Sequence, residues 1–385
     1  MSTLDEFADA KLDQLEARRL RRTLRETWRT ERVRAERDGR ALVSFCCNDY
    51  LGLSHHADVK RAAIAATEAF GAGAGASRLV TGNHPLYRDL ETRLARLKGA
   101  ERACVFGSGY LANIGVIPSL AGADDLIVMD ALSHASTHAG ARLAGARVEA
   151  FAHNDTDHCR HILREARAGH RRCLVLTEGV FSMDGDRAPL AALAELAAEY
   201  DAWLMVDDAH GFGVLGAGRG ASFETDPAPA IALHMGTLSK ALGAYGGFVA
   251  ASARVIELIE TRARSLIYST GLPPAVIASA LAALDVIAAE PERSARPLAH
   301  ARAFTARLDL APAASQIVPL LVGEAERALM ASAALEDRGY LVTAIRPPTV
   351  PDGTARLRVT FSAEHTADDV AGLADAVREI GLADG

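Results

Sequence analysis

Four short runs place reactive side chains behind apolar stretches. Phe106-Gly-Ser-Gly-Tyr-Leu-Ala-Asn113 is a glycine turn opening a helix, whose free N–H groups at the positive helix end form a seat for a phosphate. Asp130-Ala-Leu-Ser-His134 sets a histidine after one apolar strand, and Val206-Asp-Asp-Ala-His-Gly211 sets two acids and a histidine after another. Gly236-Thr-Leu-Ser-Lys240 ends in a lysine followed by Ala241-Leu-Gly-Ala-Tyr-Gly-Gly247, a small apolar segment better suited to lining a site than to facing solvent. Singly, each is bland: a turn, a capping histidine, a metal site or helix cap, a surface lysine. Together they supply an amine for a Schiff base, a carboxylate to keep a ring nitrogen protonated, an aromatic group to stack and a phosphate seat. That set is what pyridoxal 5'-phosphate requires.

Such residues need a frame that gathers strand ends, and in a parallel sheet function collects at the carboxyl ends. Periodicity predicts helices over 85–98, after Gly109, near 136–143 and over 190–200. Strands are expected at 103–106 and 126–129, and short apolar runs follow at 173–177, 203–206, 231–235 and 247–251. This alternation implies an α/β fold, a largely parallel sheet with helices on both faces. Upstream, Leu12, Leu15, Leu20 and Leu24 recur at helical spacing among arginines, so helices are expected from 4 to about 37, then a strand at 41–45 and a flexible glycine stretch at 71–75. A weak boundary near Pro291 precedes strands near 317–322 and 357–361. The expected division is an N-terminal helical arm (1–45), a large α/β domain (46–290) and a small C-terminal α+β domain (291–385).

With 385 residues, 49% hydrophobic and a mean hydropathy of +0.07, the chain has enough apolar surface to fold, which excludes disorder. No segment reaches the roughly 18 apolar residues of a membrane span, and the first residues lack the apolar stretch of a signal peptide, so a cytoplasmic protein is expected. Five cysteines without a CxxC pair argue against a disulfide framework or structural zinc. The net charge of −7 argues against nucleic-acid binding. The balance is uneven: residues 11–40 hold eleven Lys/Arg against six Asp/Glu, either a solvated helix face or an arm that meets an anionic substrate.

The chain order of phosphate turn, His134, Asp207-x-x-His210 and Thr237-x-x-Lys240 resembles that of fold type I pyridoxal phosphate enzymes, and within them the α-oxoamine synthases. The resemblance spans nearly the whole chain, through Asn48-Asp-Tyr-Leu-Gly-Leu53, Thr177-Glu-Gly-Val-Phe-Ser-Met-Asp-Gly-Asp186 and Pro351-Asp-Gly-Thr-Ala-Arg-Leu-Arg358. It implies a large sheet domain with a smaller C-terminal α+β domain. It also implies that Lys240 carries the cofactor and acts as acid and base at the substrate's Cα, that Asp207 pairs with the ring nitrogen and that His134 stacks on the ring. His210 and Ser182 fall near the phenolic oxygen, and Ser108, Gly109 and Tyr110, aided by Thr237, near the phosphate.

The substrate carboxylate needs a fixed cation. Arg356 and Arg358, two apart on an expected strand, face one side; the resemblance favours Arg358 as the clamp, and Asn48 is a second candidate for that carboxylate. Arg22 matches a family arginine of the amino-terminal arm on the acyl side, and Thr349 is a further substrate-side candidate. Within the family, Arg346-Pro-Pro-Thr-Val-Pro351, Phe151-Ala-His-Asn-Asp155, Ile267-Tyr-Ser-Thr270 and Ser182-Met-Asp-Gly-Asp-Arg-Ala-Pro-Leu190 resemble the members that join L-alanine to a pimeloyl thioester. Pimeloyl-CoA and pimeloyl-acyl carrier protein are both implied donors. The same resemblance implies a homodimer with its site at the interface, Thr270 serving the partner's phosphate. Sister members that take glycine or serine, and a catalytically silent cofactor-binding regulator, are the competing readings.

Overall fold

The structure, a computed structural model, describes residues 2–382. It divides into two compact units, Asn48–Leu298, and Met1–Cys47 together with Ala299–Gly385.

The chain begins with α1 (Thr3–Ala17), capped by the Ser2 side chain. Helix was expected as far as Arg37, but it stops at Ala17. Trp28–Arg29 (β1), Arg34–Arg37 (β2) and Arg40–Ser44 (β3) instead form an antiparallel ladder. The cause is local. Asp38 and Gly39, with φ of 50° and 74°, make the two-residue turn that joins β2 to β3, and such positive values end any helix. Arginines that read as a charged helix face are ion-paired. Arg25 and Arg37 meet Glu336 at 2.8 and 3.4 Å, Arg34 meets Asp369 at 2.8 Å and Arg40 meets Asp337 at 2.6 Å. Much of the basic charge of 11–40 is therefore structural.

The larger unit opens with α2 (Ala57–Phe70) and α3 (Pro85–Lys98). Then strands and helices alternate: β4 (Arg102–Phe106), α4 (Gly109–Leu120), β5 (Leu126–Asp130), α5 (Ala135–Ala144), β6 (Arg147–Phe151) and α6 (Thr156–Ala166). After them come β7 (Cys173–Glu178), α7 (Leu190–Glu199), β8 (Trp203–Asp207), β9 (Leu233–Thr237), β10 (Gly247–Ala251), α8 (Ala253–Arg262), α9 (Arg264–Ile267) and α10 (Pro274–Ala289). The seven strands form one sheet in the order β4-β10-β9-β8-β7-β5-β6. All run parallel except β10, which is antiparallel to both neighbours. Only the residues between Thr237 and Gly247 connect β9 to β10, too few for the crossover that parallel strands need. β6, missed in the sequence, is an edge strand whose side chains are mostly exposed, so it lacks the apolar run of its neighbours.

Each strand sends alternate residues to opposite faces. Phe106, Met129, Leu176, Met205, Met235 and Val249 pack with Val116, Ile117 and Ile259 on one face. Val128, Val175, Leu204 and Val206 pack with Leu163, Leu193 and Leu196 on the other. Beneath α3, a groove of about 670 Å³ holds charged groups that are already paired, Arg78 with Glu91 and Arg102 with Glu260.

Helix α11 (Pro291–Arg307) leads to the rest of the smaller unit: β11 (Ile317–Gly323), α12 (Ala325–Asp337), β12 (Tyr340–Leu341), β13 (Thr343–Ile345), β14 (Ala355–Thr360) and α13 (Ala367–Glu379). β12 pairs in parallel with β3, which joins the amino-terminal ladder to this unit. On the central strand β14, Leu357 and Val359 enter an apolar core with Phe304, Phe361 and Leu373. Arg356 and Arg358 alternate with them and are also buried.

One buried ion pair stands out within the larger unit. Lys98, at the end of α3, is fully buried with its ammonium 2.9 Å from Asp208 and 2.6 Å from the Arg219 carbonyl. Lys98→Ala leaves the Asp208 carboxyl buried and unpaired, which costs about 3–5 kcal/mol. The urea midpoint of this variant is expected well below that of the native chain; an unchanged midpoint would contradict the pairing.

Candidate active site

The carboxyl ends of β4, β5, β7, β8 and β9 share one edge of the sheet, where the antiparallel β10 begins. A cavity of about 190 Å³ opens there. It is lined by Ser108, Gly109, Tyr110, His134, Asp207, His210, Thr237 and Lys240, together with Ser136, Glu178, Ala209, Met235 and Ser239. Eight residues singled out in the sequence thus meet in one place.

Of the four lysines, Lys11 and Lys60 are exposed and Lys98 is committed to Asp208. Lys240 is the one that reaches the cavity. Its Nζ lies 2.8 Å from His210 Nε2, and His210 Nδ1 lies 2.7 Å from the Tyr50 hydroxyl. Tyr50 donates in turn to Asn48 Oδ1 at 3.2 Å. A hydroxyl that spends its proton on Asn48 accepts from Nδ1–H, so Nε2 carries the lone pair facing Lys240.

Asp207 ends β8. Its Oδ2 accepts from Asn113 Nδ2 at 2.8 Å and its Oδ1 from the Ala209 N–H at 3.1 Å. Beside it in the ladder, Glu178 ends β7 fully buried, and its Oε1 finds no protein partner among the described residues. Burial raises the Glu178 pKa well above the usual carboxylate range, and the charge of Asp207 adds to this against the opposing pull of Lys240. Two adjacent buried carboxyls do not both ionise cheaply, and of the two it is Asp207 that accepts a hydrogen bond at each oxygen. Asp208, by contrast, points away to Lys98, with Ala221 N–H as a further donor.

His134 caps α5: its Nδ1 accepts from the Ser136 N–H at 3.2 Å and lies 2.7 Å from Ser136 Oγ. Burial lowers its pKa more than the charge of Asp207 raises it, so the ring is neutral. At the start of α4 the Ser108 side chain accepts from Leu111 N–H at 3.1 Å, while Thr237 Oγ1 donates to the Gly246 carbonyl at 2.8 Å. A Cβ on Gly247 would lie 2.5 Å from Gly109 N, so only glycine lets β10 begin against this turn.

Six other candidate residues lie outside the lining of this cavity. Ser182, on the loop after β7, and Asn48 are half-buried and outside the cavity lining. Thr270 is exposed and bridges to Ser77. In the smaller unit Arg22 Nη2 donates to Thr349 Oγ1 at 2.9 Å, which brings those two together, and Arg358 is buried on β14. Asn113, Tyr50 and Glu178 were not singled out as site residues.

The aminotransferase class I and II family matches residues 40–377. An 8-amino-7-oxononanoate synthase of Methylobacterium sp. strain 4-46 is 60% identical over 381 residues, covering 99% of this chain and 98% of that one. The same enzyme of Beijerinckia indica is 58% identical over 377 residues, covering 98% of both. The chain belongs to the 8-amino-7-oxononanoate synthase family. Among solved structures, a PLP-bound serine palmitoyltransferase of S. paucimobilis is similar at a TM-score of 0.91 and 30% identity, covering 99% of this chain and 100% of that one. The 8-amino-7-oxononanoate synthase of Francisella tularensis is similar at 0.74 and 26%, covering 88% of this chain and 98% of that one.

Members of the 8-amino-7-oxononanoate synthase family are pyridoxal phosphate enzymes, and the residues present fit that cofactor. A helix N-terminus cradled by glycines, a carboxylate fixed at both oxygens, a neutral imidazole and a single lysine converge on one cavity. Borohydride treatment of the holoenzyme is expected to fix the cofactor on Lys240, read by peptide mass. Label on Lys98 or on a surface lysine would overturn the assignment.

Proposed function

We propose that this enzyme condenses L-alanine with a pimeloyl thioester, carried by CoA or by acyl carrier protein, with loss of carbon dioxide, to give 8-amino-7-oxononanoate for biotin synthesis. Near full-length identity of 58–60% to synthases of that name carries the choice of substrate. The convergence of Lys240, Asp207 and His134 supports the reaction class.

When bound, pyridoxal phosphate supplies a carbonyl for the amino group of alanine and an electron sink that makes its Cα acidic. The Lys240 amine would take the proton from the substrate's Cα and later return one. Its lone pair is available because His210 Nε2 stands 2.8 Å away to receive an N–H hydrogen bond. Asp207 would accept from the ring N–H, its negative charge keeping that proton in place. His134, neutral, would stack against the ring and could donate to the new ketone oxygen. Ser108, Gly109 and Tyr110 would hold the phosphate at the start of α4, with Thr237 beside them, and Ser182 and His210 would serve the phenolic oxygen. Arg358 is the proposed clamp for the alanine carboxylate and Asn48 a second candidate for it, while Arg22 is the proposed acyl-side contact and Thr349 a further substrate-side one.

The proposed assembly is a homodimer. Leu79, Val80 and Tyr268 are 62%, 73% and 72% exposed and flank the Ser77–Thr270 bridge, an apolar surface suited to a second copy of the chain, whose phosphate Thr270 would serve. Among the described residues no single helix is long and apolar enough to cross a membrane, and the five cysteines are free thiols, which supports a cytoplasmic setting.

Similarity to serine palmitoyltransferase at 30% identity keeps a serine-using reaction as the second reading. Alanine, glycine and serine, each crossed with short, pimeloyl and long acyl thioesters, separate the two by product mass. The alanine–pimeloyl pair is expected to dominate; a serine–long-chain product would select the second reading. Lys240→Ala is expected to abolish turnover while still binding cofactor noncovalently. Arg358→Ala is expected to raise the alanine requirement far more than it weakens cofactor binding, and an unchanged alanine response would move the clamp to Arg356.

A further inference from the structure

One histidine outside the cavity has both ring nitrogens on carboxylates. His153, in the run Phe151-Ala-His-Asn-Asp155 that ends β6, sets Nδ1 3.0 Å from Asp130 Oδ1 and Nε2 2.7 Å from Asp186 Oδ2. Ionised carboxylates only accept, so both nitrogens donate and the ring is an imidazolium. Burial opposes that charge, yet the hydrogen bonds to Asp130 and Asp186 outweigh it and push the pKa up to about 10.

The two carboxylates belong to different loops. Asp130, fully buried, closes the turn that leads to His134: its Oδ1 also accepts from Leu132 N–H at 2.8 Å, and its carbonyl accepts from Ser133 N–H at 3.1 Å. Asp186 closes the loop that carries Ser182: its carbonyl accepts from Phe181 N–H at 3.0 Å, and Val180 bridges to Arg187. Asn154 doubles the link. Its backbone N–H donates to Asp130 Oδ2 at 2.8 Å, and its side chain donates to Asp186 Oδ2 at 2.8 Å and to the Arg187 carbonyl at 3.2 Å. The Phe181 ring, one residue before Ser182, meets the His153 ring edge-on with centroids 4.4 Å apart.

We infer that His153 is a positioning residue for the cofactor site: with Asn154 it ties the turn that presents His134 to the loop that presents Ser182. The spacing between the group that stacks on the pyridoxal ring and the group beside its phenolic oxygen is thereby fixed from outside the cavity. A neutral ring could donate to only one of the two carboxylates, so the charge is part of the tie. This inference rests on the cofactor reading of the cavity.

Two full-length variants test it as holoenzymes. His153→Gln removes the charge and one of the two donor positions. Asp186→Ala cuts the same tie at a carboxylate that is 39% exposed and leaves the buried Asp130 paired, so it retains the fold. Each is expected to lose pyridoxal phosphate on dilution roughly tenfold faster than the native enzyme, the worth of one charge-assisted hydrogen bond. Visible circular dichroism of the bound cofactor is expected to weaken in both, with far-ultraviolet dichroism unchanged. Native cofactor retention and native visible dichroism in Asp186→Ala, whatever its melting temperature, would overturn the inference. A native enzyme that takes up no pyridoxal phosphate would instead overturn the cofactor reading, so the two failures are distinct.

Discussion

A carboxylate at the end of a buried strand stays charged only if its neighbours hold it so, and the site depends on how Asp207 is held. Asn113, which donates to its Oδ2, lies on α4 one turn beyond Gly109. A single helix therefore offers the proposed phosphate seat at its N-terminus and anchors the proposed ring-nitrogen partner from its first turns. The separation of those two points is set by helical rise, about 1.5 Å per residue, rather than by loop packing. Asn113 also donates to Ser136 Oγ at 2.9 Å, and Ser136 holds the His134 ring. Three groups of the proposed cofactor site are referred to one amide.

The two consecutive acids at the end of β8 illustrate how alternation assigns work. Asp207 faces the cavity, while Asp208 turns to Lys98 and to the Ala221 N–H, deep in the unit. Had both carboxylates faced the ring, their mutual repulsion would have raised one pKa and weakened the charge at the ring nitrogen. The lysine that neutralises the second acid lets the first act alone. Glu178 shows the other solution: burial pushes the pKa of that carboxyl well up, which disfavours a second charge beside Asp207.

Much of this was legible in the sequence, for a definite reason. Strand ends followed by Gly, His, Asp or Lys gather at one edge of a parallel sheet, so Ser108, Gly109, Tyr110, His134, Asp207, His210, Thr237 and Lys240 could be grouped before any coordinates. What escaped depends on contacts remote in the chain. Asn113 and Asp207 are 94 positions apart, and Lys98, ahead of the Gly99 cap, reads as an ordinary helix-end lysine until Asp208 is seen against it. The amino-terminal misreading is different. Leucine spacing suggested helix through a stretch where the Asp38-Gly39 pair already announced a hairpin, and a local turn outweighed a weak periodic signal. Four of the eleven basic residues of that segment, read as an arm reaching for an anion, are paired with Glu336, Asp337 and Asp369.

The connection that bears Lys240 joins two hydrogen-bonded neighbours, β9 and β10, and is laced by its own backbone. Leu238 N–H donates to the Gly246 carbonyl at 3.0 Å, Ala244 N–H to that of Leu238 at 3.0 Å, and Gly243 N–H to that of Lys240 at 2.9 Å. A hairpin link so short and so bonded leaves little backbone freedom. In the proposed catalytic cycle the movements of Lys240 therefore fall to its four-carbon side chain, a crane arm on a fixed mast. Rotamer changes of such an arm are among the fast motions of a protein, whereas loop rearrangements are slower. Release and recapture of the amine then need no opening of the protein around it.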